Sequence, residues 1–106
     1  MAKYMAKVNY SAEGQKGLLQ GGGTARVEAV EKLMASLGGK VESFYFAFGD
    51  TDAFVVLEFP DAVSGASASL TVGASGAASV QVVELLTPAQ LDEAAKKSPA
   101  YTPPGR

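Results

Sequence analysis

FYFAFGDTDAFVVLEF, running from Phe44 to Phe59, sets two apolar runs on either side of a short polar segment that carries Asp50 and Asp52. Glycine and aspartate between alternating aromatic and β-branched residues signal a hairpin. Both tolerate the dihedrals of a tight turn, and aspartate also bonds its local backbone. The stretch predicts two strands, roughly 40–48 and 53–59. With an even-length loop, either Asp50-Thr51 or Gly49–Asp52, Phe48 stands opposite Ala53. One face of the hairpin then holds Phe44, Phe46, Phe48, Ala53, Val55, Leu57 and Phe59. The other holds Ser43, Tyr45, Ala47, Phe54, Val56 and Glu58.

The first face is apolar throughout and belongs in a core. The second is apolar enough to be poorly matched to water, since burying a side chain such as Phe54 or Val56 is worth about 1.5–3 kcal/mol. Several such residues on one open sheet make an unusually large apolar patch. A second copy of the chain packed sheet on sheet covers them, so the expectation is a homodimer or a higher homo-oligomer.

Upstream, residues 3–10 alternate, with Tyr4, Ala6, Val8 and Tyr10 on one side and Lys3, Met5, Lys7 and Asn9 on the other. Period 2 with branched and aromatic residues is the mark of a half-buried strand. Ser11 to Gln20 is rich in glycine and supports a helical turn or two at most. Gly21-Gly22-Gly23 reads as a loop with Thr24 as N-cap. Val27, Val30, Leu33, Met34 and Leu37 then recur at helical spacing until Gly38-Gly39 stops the helix.

Downstream, Pro60-Asp61 ends the hairpin, and Asp61 caps a second helix running to about Ser75. Its side chains are almost all small, which suits close packing on a sheet. Ala78–Leu86 is a fourth strand. Thr87-Pro-Ala-Gln90 is a capping box with proline in the first turn, so a short helix follows to about Lys97. Residues 98–106 form a proline-rich extended tail in which Tyr101 is available to dock on a neighbouring subunit. The order β-α-β-β-α-β predicts a single α+β domain over residues 1–106, the ferredoxin-like sandwich with a short C-terminal helix added.

The composition narrows the chemistry. The 106 residues carry a formal net charge of −2 and contain neither cysteine nor histidine. The charge balance leaves no electrostatic footprint for nucleic acid or an anionic membrane. Without cysteine there is no disulfide, thiolate nucleophile or sulfur-ligated metal, and without histidine the commonest general base and transition-metal ligand are gone. No apolar run suggests a signal peptide or a membrane span, so a soluble cytoplasmic protein is expected.

Three candidate sites remain. Asp50 and Asp52, with Gly49, read as a turn rather than a metal clamp, because Asp-Thr-Asp supplies too few oxygens for a hard cation. No metal and no cofactor are expected. The run Gln20 to Arg26 precedes a helix and could cradle an anion on its backbone N–H groups, with Lys16 and Arg26 as the nearby charges. A flexible loop is the simpler reading, because the lysine-bearing phosphate-loop spacing is missing. Ser43, Tyr45, Phe54 and Glu58, joined by Tyr4 or Tyr10, could line a cavity between paired sheets. There a desolvated Glu58 could act as acid or base beside Tyr45.

Several stretches, in order, resemble the GYD domain family of small bacterial proteins. They are Tyr10-Ser-Ala-Glu-Gly, Gly-Gly-Thr-Ala-Arg26, Phe44-Tyr-Phe-Ala-Phe-Gly-Asp-Thr-Asp52, Leu85-Leu-Thr-Pro88 and Ala94-Ala-Lys-Lys-Ser-Pro-Ala-Tyr101. The Gly-Tyr-Asp signature of that family falls at the hairpin turn, where Gly49 and Asp52 match and Thr51 replaces the tyrosine. The resemblance implies a dimeric α+β barrel and no particular reaction. Two functional readings follow. One is a homo-oligomeric module that binds a small molecule or serves assembly. The other is a cofactor-free enzyme, of monooxygenase or isomerase type, working in the barrel cavity through Tyr45 and Glu58.

Overall fold

A computed structural model describes all residues, 1–106, as seven elements. They are β1 (Ala2–Tyr10), α1 (Ala12–Ser36), β2 (Lys40–Phe46), β3 (Ala53–Phe59), α2 (Ala62–Ala74), β4 (Ala78–Leu85) and α3 (Pro88–Lys96). The strands form one antiparallel sheet in the order β2-β3-β1-β4. This is the α+β, ferredoxin-like class expected from the element order.

The sheet has one covered and one open face. Ala6, Val8 and Tyr10 of β1 and Ala53, Val55, Leu57 and Phe59 of β3 are buried with Met34 of α1 and Ala68 of α2. Leu18, Val30, Leu33, Leu37 and Val72 pack around them, so both long helices lie on that face. The small residues of α2 allow close approach, as at Gly65, where an added Cβ would already touch the Phe59 ring at 3.4 Å. Asp61 caps α2 by accepting from Ser64 N at 2.7 Å, and the Thr87–Gln90 capping box starts α3.

The hairpin departs from the expected register. Phe46, not Phe48, stands opposite Ala53, and Val41 and Ser43 are separated by a bulge at Glu42. The loop therefore spans six residues, 47–52, closed by Ala47 N donating to Asp52 O at 2.8 Å. The cause lies outside the hairpin. Asp52 N donates to Val8 O at 2.9 Å, which draws the start of β3 onto the end of β1 and ends the pairing with β2 early. From Ser43 to Phe59 the shift is two residues, so each side chain stays on its expected face, while beyond the bulge it is three and Val41 turns to the core. Phe48 is the exception, leaving the sheet to stand fully exposed in the loop.

The glycine-rich segment is the second correction. Ser11 is the N-cap, accepting from Gly14 N, and the helix runs from Ala12 through the glycines to Ser36. Only Gly22 is non-helical, at φ 78° and ψ 173°, and it kinks α1 rather than opening a loop. Thr24 lies beyond that kink, inside the second half of the helix. Local propensity disfavours glycine in a helix by about 1 kcal/mol each, but here tertiary contact decides. Gly14 lies so close to the Ala77 carbonyl that no side chain fits between them.

The radius of gyration is 16.9 Å, against about 13 Å for a compact domain of this length. The C-terminal arm contributes to the difference. Every residue from Leu86 to Arg106 is exposed except half-buried Pro103, and α3 buries none of its own. No helix is long and apolar enough to cross a membrane.

Candidate functional site

The fold divides the expected site residues between the two sides of the sheet. Ser43, Tyr45, Phe54 and Glu58 share the open face, where Tyr45 pairs with Phe54 and Lys40 with Glu58. Tyr45 and Glu58 are thus four positions apart along β3, about 13 Å at the usual rise per residue. One chain does not bring them together. Lys40 Nζ lies 3.2 Å from the Glu58 carboxylate, whose side chain is only 15 % exposed. Lys3 Nζ lies 2.8 Å from Glu42. That hydrogen bond, and the charge behind it, raise the pKa of the Lys3 ammonium above its ordinary value. Two lysines and two glutamates therefore neutralise one another at one end of the open face.

At the hairpin tip, Gly49 and Asp50 are exposed. Asp52 instead turns inward, onto the end of β1. Its Oδ2 accepts from Tyr10 N at 2.9 Å, and its own N–H also meets Asn9 Oδ1 at 3.1 Å. No three acidic side chains gather closely enough to hold a metal ion.

On the covered face the structure brings together Tyr10 and Arg26. Tyr10 ends β1, its N–H held by Asp52 and its carbonyl accepting from Gln15 Nε2 at 3.3 Å. The Arg26 guanidinium, reaching in from α1 beyond the kink, sits 5.7 Å from the Tyr10 ring centroid. A cation over an aromatic face is attracted by the ring quadrupole. Tyr10 Oη and Arg26 Nε are both buried, and neither has a hydrogen-bond partner. Buried polar atoms are normally paired, so two orphans on neighbouring side chains call for an explanation.

Both residues line two adjoining spaces. Outward lies a groove of about 300 Å³ walled by Glu13, Gly14, Gly17, Leu18, Gly21, Gly22, Ala25 and Ala77. Inward lies a narrow apolar cavity of about 50 Å³ beneath α1, reaching Val30, Leu33, Met34, Phe44 and Phe59. Lys16, expected near an anion, lines neither space. It is exposed and lies 3.6 Å from Glu13.

Glu13, Gly14, Gly17, Leu18 and Ala77 are the groove residues that sequence reasoning missed. The glycines carried a signal, because those at 14, 17 and 21 recur with helical spacing and strip one helix face of side chains. Read as helix breakers, they hid the face they create.

Searches of curated proteins and of solved structures give no match. The family model for the GYD domain matches residues 4–95, nearly the whole chain. The chain therefore belongs to the GYD domain family.

Proposed function

We propose that the protein works as a homo-oligomer, a dimer at least, built by packing open sheet faces together, and that it serves as a module binding a small molecule. The observation that carries the assembly is the open face itself. Val56 of β3, Met5 of β1 and Val83 of β4 stand in one cross-strand row, with Phe54 and Tyr45 beside them. Tyr45, Phe54 and Val83 are 72 %, 39 % and 45 % exposed, which is a costly arrangement for a sheet left in water.

A second copy is the occupant that fits. The charges at one end of the face, Lys3 with Glu42 and Lys40 with Glu58, are already paired within the chain. A two-fold axis then sets apolar surface on apolar surface. Lys7, beside Phe54 and Gln81 on the same face and without an ion-pair partner in its own chain, must reach the rim or an acceptor on the second copy. The exposed arm supplies further contact area, since Leu86, Leu91 and Tyr101 are all largely exposed.

Light scattering tests this. The expected solution mass is at least twice the 10.8 kDa of the chain. A clean monomer at micromolar concentration removes the proposal. The enzymatic alternative needs Tyr45 and Glu58 to converge across such a dimer, because within one chain they stand apart.

A further inference from the structure

We infer that the space between α1 and the sheet is a binding site for a small organic anion, a carboxylate on a compact apolar body, with Tyr10 and Arg26 as its polar ligands. The inference rests on the small-molecule reading above, and it names the site and the ligand class.

The polar requirement comes from the two orphan atoms. Arginine nitrogens only donate, and a phenol donates readily. Tyr10 Oη and Arg26 Nε thus present two donors, one of them cationic, with nothing to accept from them. Tyr10 is only 8 % exposed, so bulk water does not satisfy it. An oxyanion meets both donors at once and makes charge-assisted bonds, which are the stronger kind. Burying a guanidinium edge against an apolar cavity is otherwise unfavourable.

The apolar requirement comes from the cavity. Beyond the two donors, the inner space is bounded by apolar side chains such as Val30, Leu33, Met34, Phe44 and Phe59, with Ser69 of α2 as the one further polar side chain. Those apolar side chains call for hydrocarbon, and a space of about 50 Å³ takes only a few carbons, so the rest of the ligand's body lies in the groove. The groove of about 300 Å³ supplies the entrance, at the lower end of typical small-molecule pockets. Its one carboxylate, Glu13, lies beside Lys16 at 3.6 Å, so the mouth carries a compensated charge. Asp52, the acid nearest Tyr10, faces its backbone N–H.

The device depends on the glycines. A Cβ at Gly17 or Gly22 would meet nothing within 4 Å, so the emptiness there is solvent space and not packed interior. Gly22, at φ 78°, is also what bends α1 before Arg26. Positive φ of that size favours glycine strongly.

Benzoate and hexanoate are suitable probes, with benzamide and hexanol as their neutral counterparts and inorganic phosphate as an anion lacking an apolar body. Binding is followed by protein NMR, reading the Arg26 Nε–H resonance, alongside solution mass. The expected result is saturable binding of a carboxylate probe in the micromolar to millimolar range, with weaker binding of the neutral and phosphate probes. Tyr10→Phe removes only the hydroxyl and should weaken that binding by about tenfold or more. It should leave the melting temperature unchanged or higher, because the lost hydroxyl had no partner. Gly17→Leu should fill the groove and block binding while the helix persists.

Three results each overturn the inference: no saturable carboxylate binding, equal binding of the neutral probes, or unchanged binding by Tyr10→Phe. The site lies across the sheet from the proposed dimer face. A monomer that binds benzoate refutes the assembly alone, and a dimer that binds no carboxylate probe refutes this site alone.

Discussion

Asp52 Oδ2 accepts a hydrogen bond from Tyr10 N at 2.9 Å, joining the last residue of β1 to the hairpin loop forty-two positions along the chain. The aspartate that looks like turn chemistry is therefore a long-range clamp on the tyrosine beside the candidate site. Replacing Asp52 with alanine leaves a part-buried N–H without its acceptor, at an expected cost of about 1–3 kcal/mol. Asp52→Asn retains an acceptor oxygen and should cost less. Urea unfolding of both variants checks this, and equal losses would mean that the negative charge matters rather than the acceptor.

The open sheet face gives a prediction about mass. Val83 lies at the end of the row Val56–Met5–Val83, on an edge strand where a new charge is tolerated in the isolated chain. Val83→Glu puts a carboxylate into an apolar interface, where it loses its water without gaining a partner. The variant should keep the far-UV circular dichroism of the wild type and run as a monomer in light scattering. A full-size oligomer with Val83→Glu would move the interface elsewhere, the exposed arm being the next candidate.

Two glycines of α1 should respond to alanine in opposite directions. At Gly14 the new methyl group would collide with the Ala77 carbonyl, which is backbone and cannot swing aside. Gly14→Ala should therefore lower the melting temperature. At Gly17 nothing lies within 4 Å of the new Cβ, and the backbone is helical. Gly17→Ala should stabilise by about 0.4–1 kcal/mol through the smaller entropy of the unfolded chain. Thermal melts of the pair, read together, distinguish close packing from a general dislike of substitution.

Asp61 makes the acid response of α2 predictable. Its side chain accepts from Ser64 N, and that hydrogen bond lowers the pKa of its carboxyl below the ordinary value. A carboxyl that is a stronger acid when folded adds stability above its ordinary pKa and loses it as the pH falls through the folded value. The contribution should be intact at neutral pH and fade below about pH 4. Asp61→Ala should melt below the wild type at pH 7, with the gap closing in acid. A gap that stays constant as the pH falls would assign the effect to something other than the ionised cap.

Much of the fold was legible because the chain states it locally. The alternation of Tyr4, Ala6, Val8 and Tyr10 placed β1 and its faces correctly. Asp61 and Thr87 marked the starts of α2 and α3, since a cap is a matter of a few neighbouring residues. The candidate site was legible only in pieces. Tyr10 and Arg26 were both singled out, but for different reasons and for different places.

What the sequence determined by itself was the element order, the α+β class and which side chains share a face. Those follow from periodicity and capping, which act over a turn or a strand. Tertiary structure decided the rest. The contact of Asp52 with β1 set the hairpin register, and the approach of Gly14 to Ala77 let a glycine-rich segment join a long helix. The meeting of Tyr10 with Arg26 required β1 and the second half of α1 to be packed together first. Each of these is a contact between residues distant in the chain, and its energy outweighs the local preference by which a sequence is read.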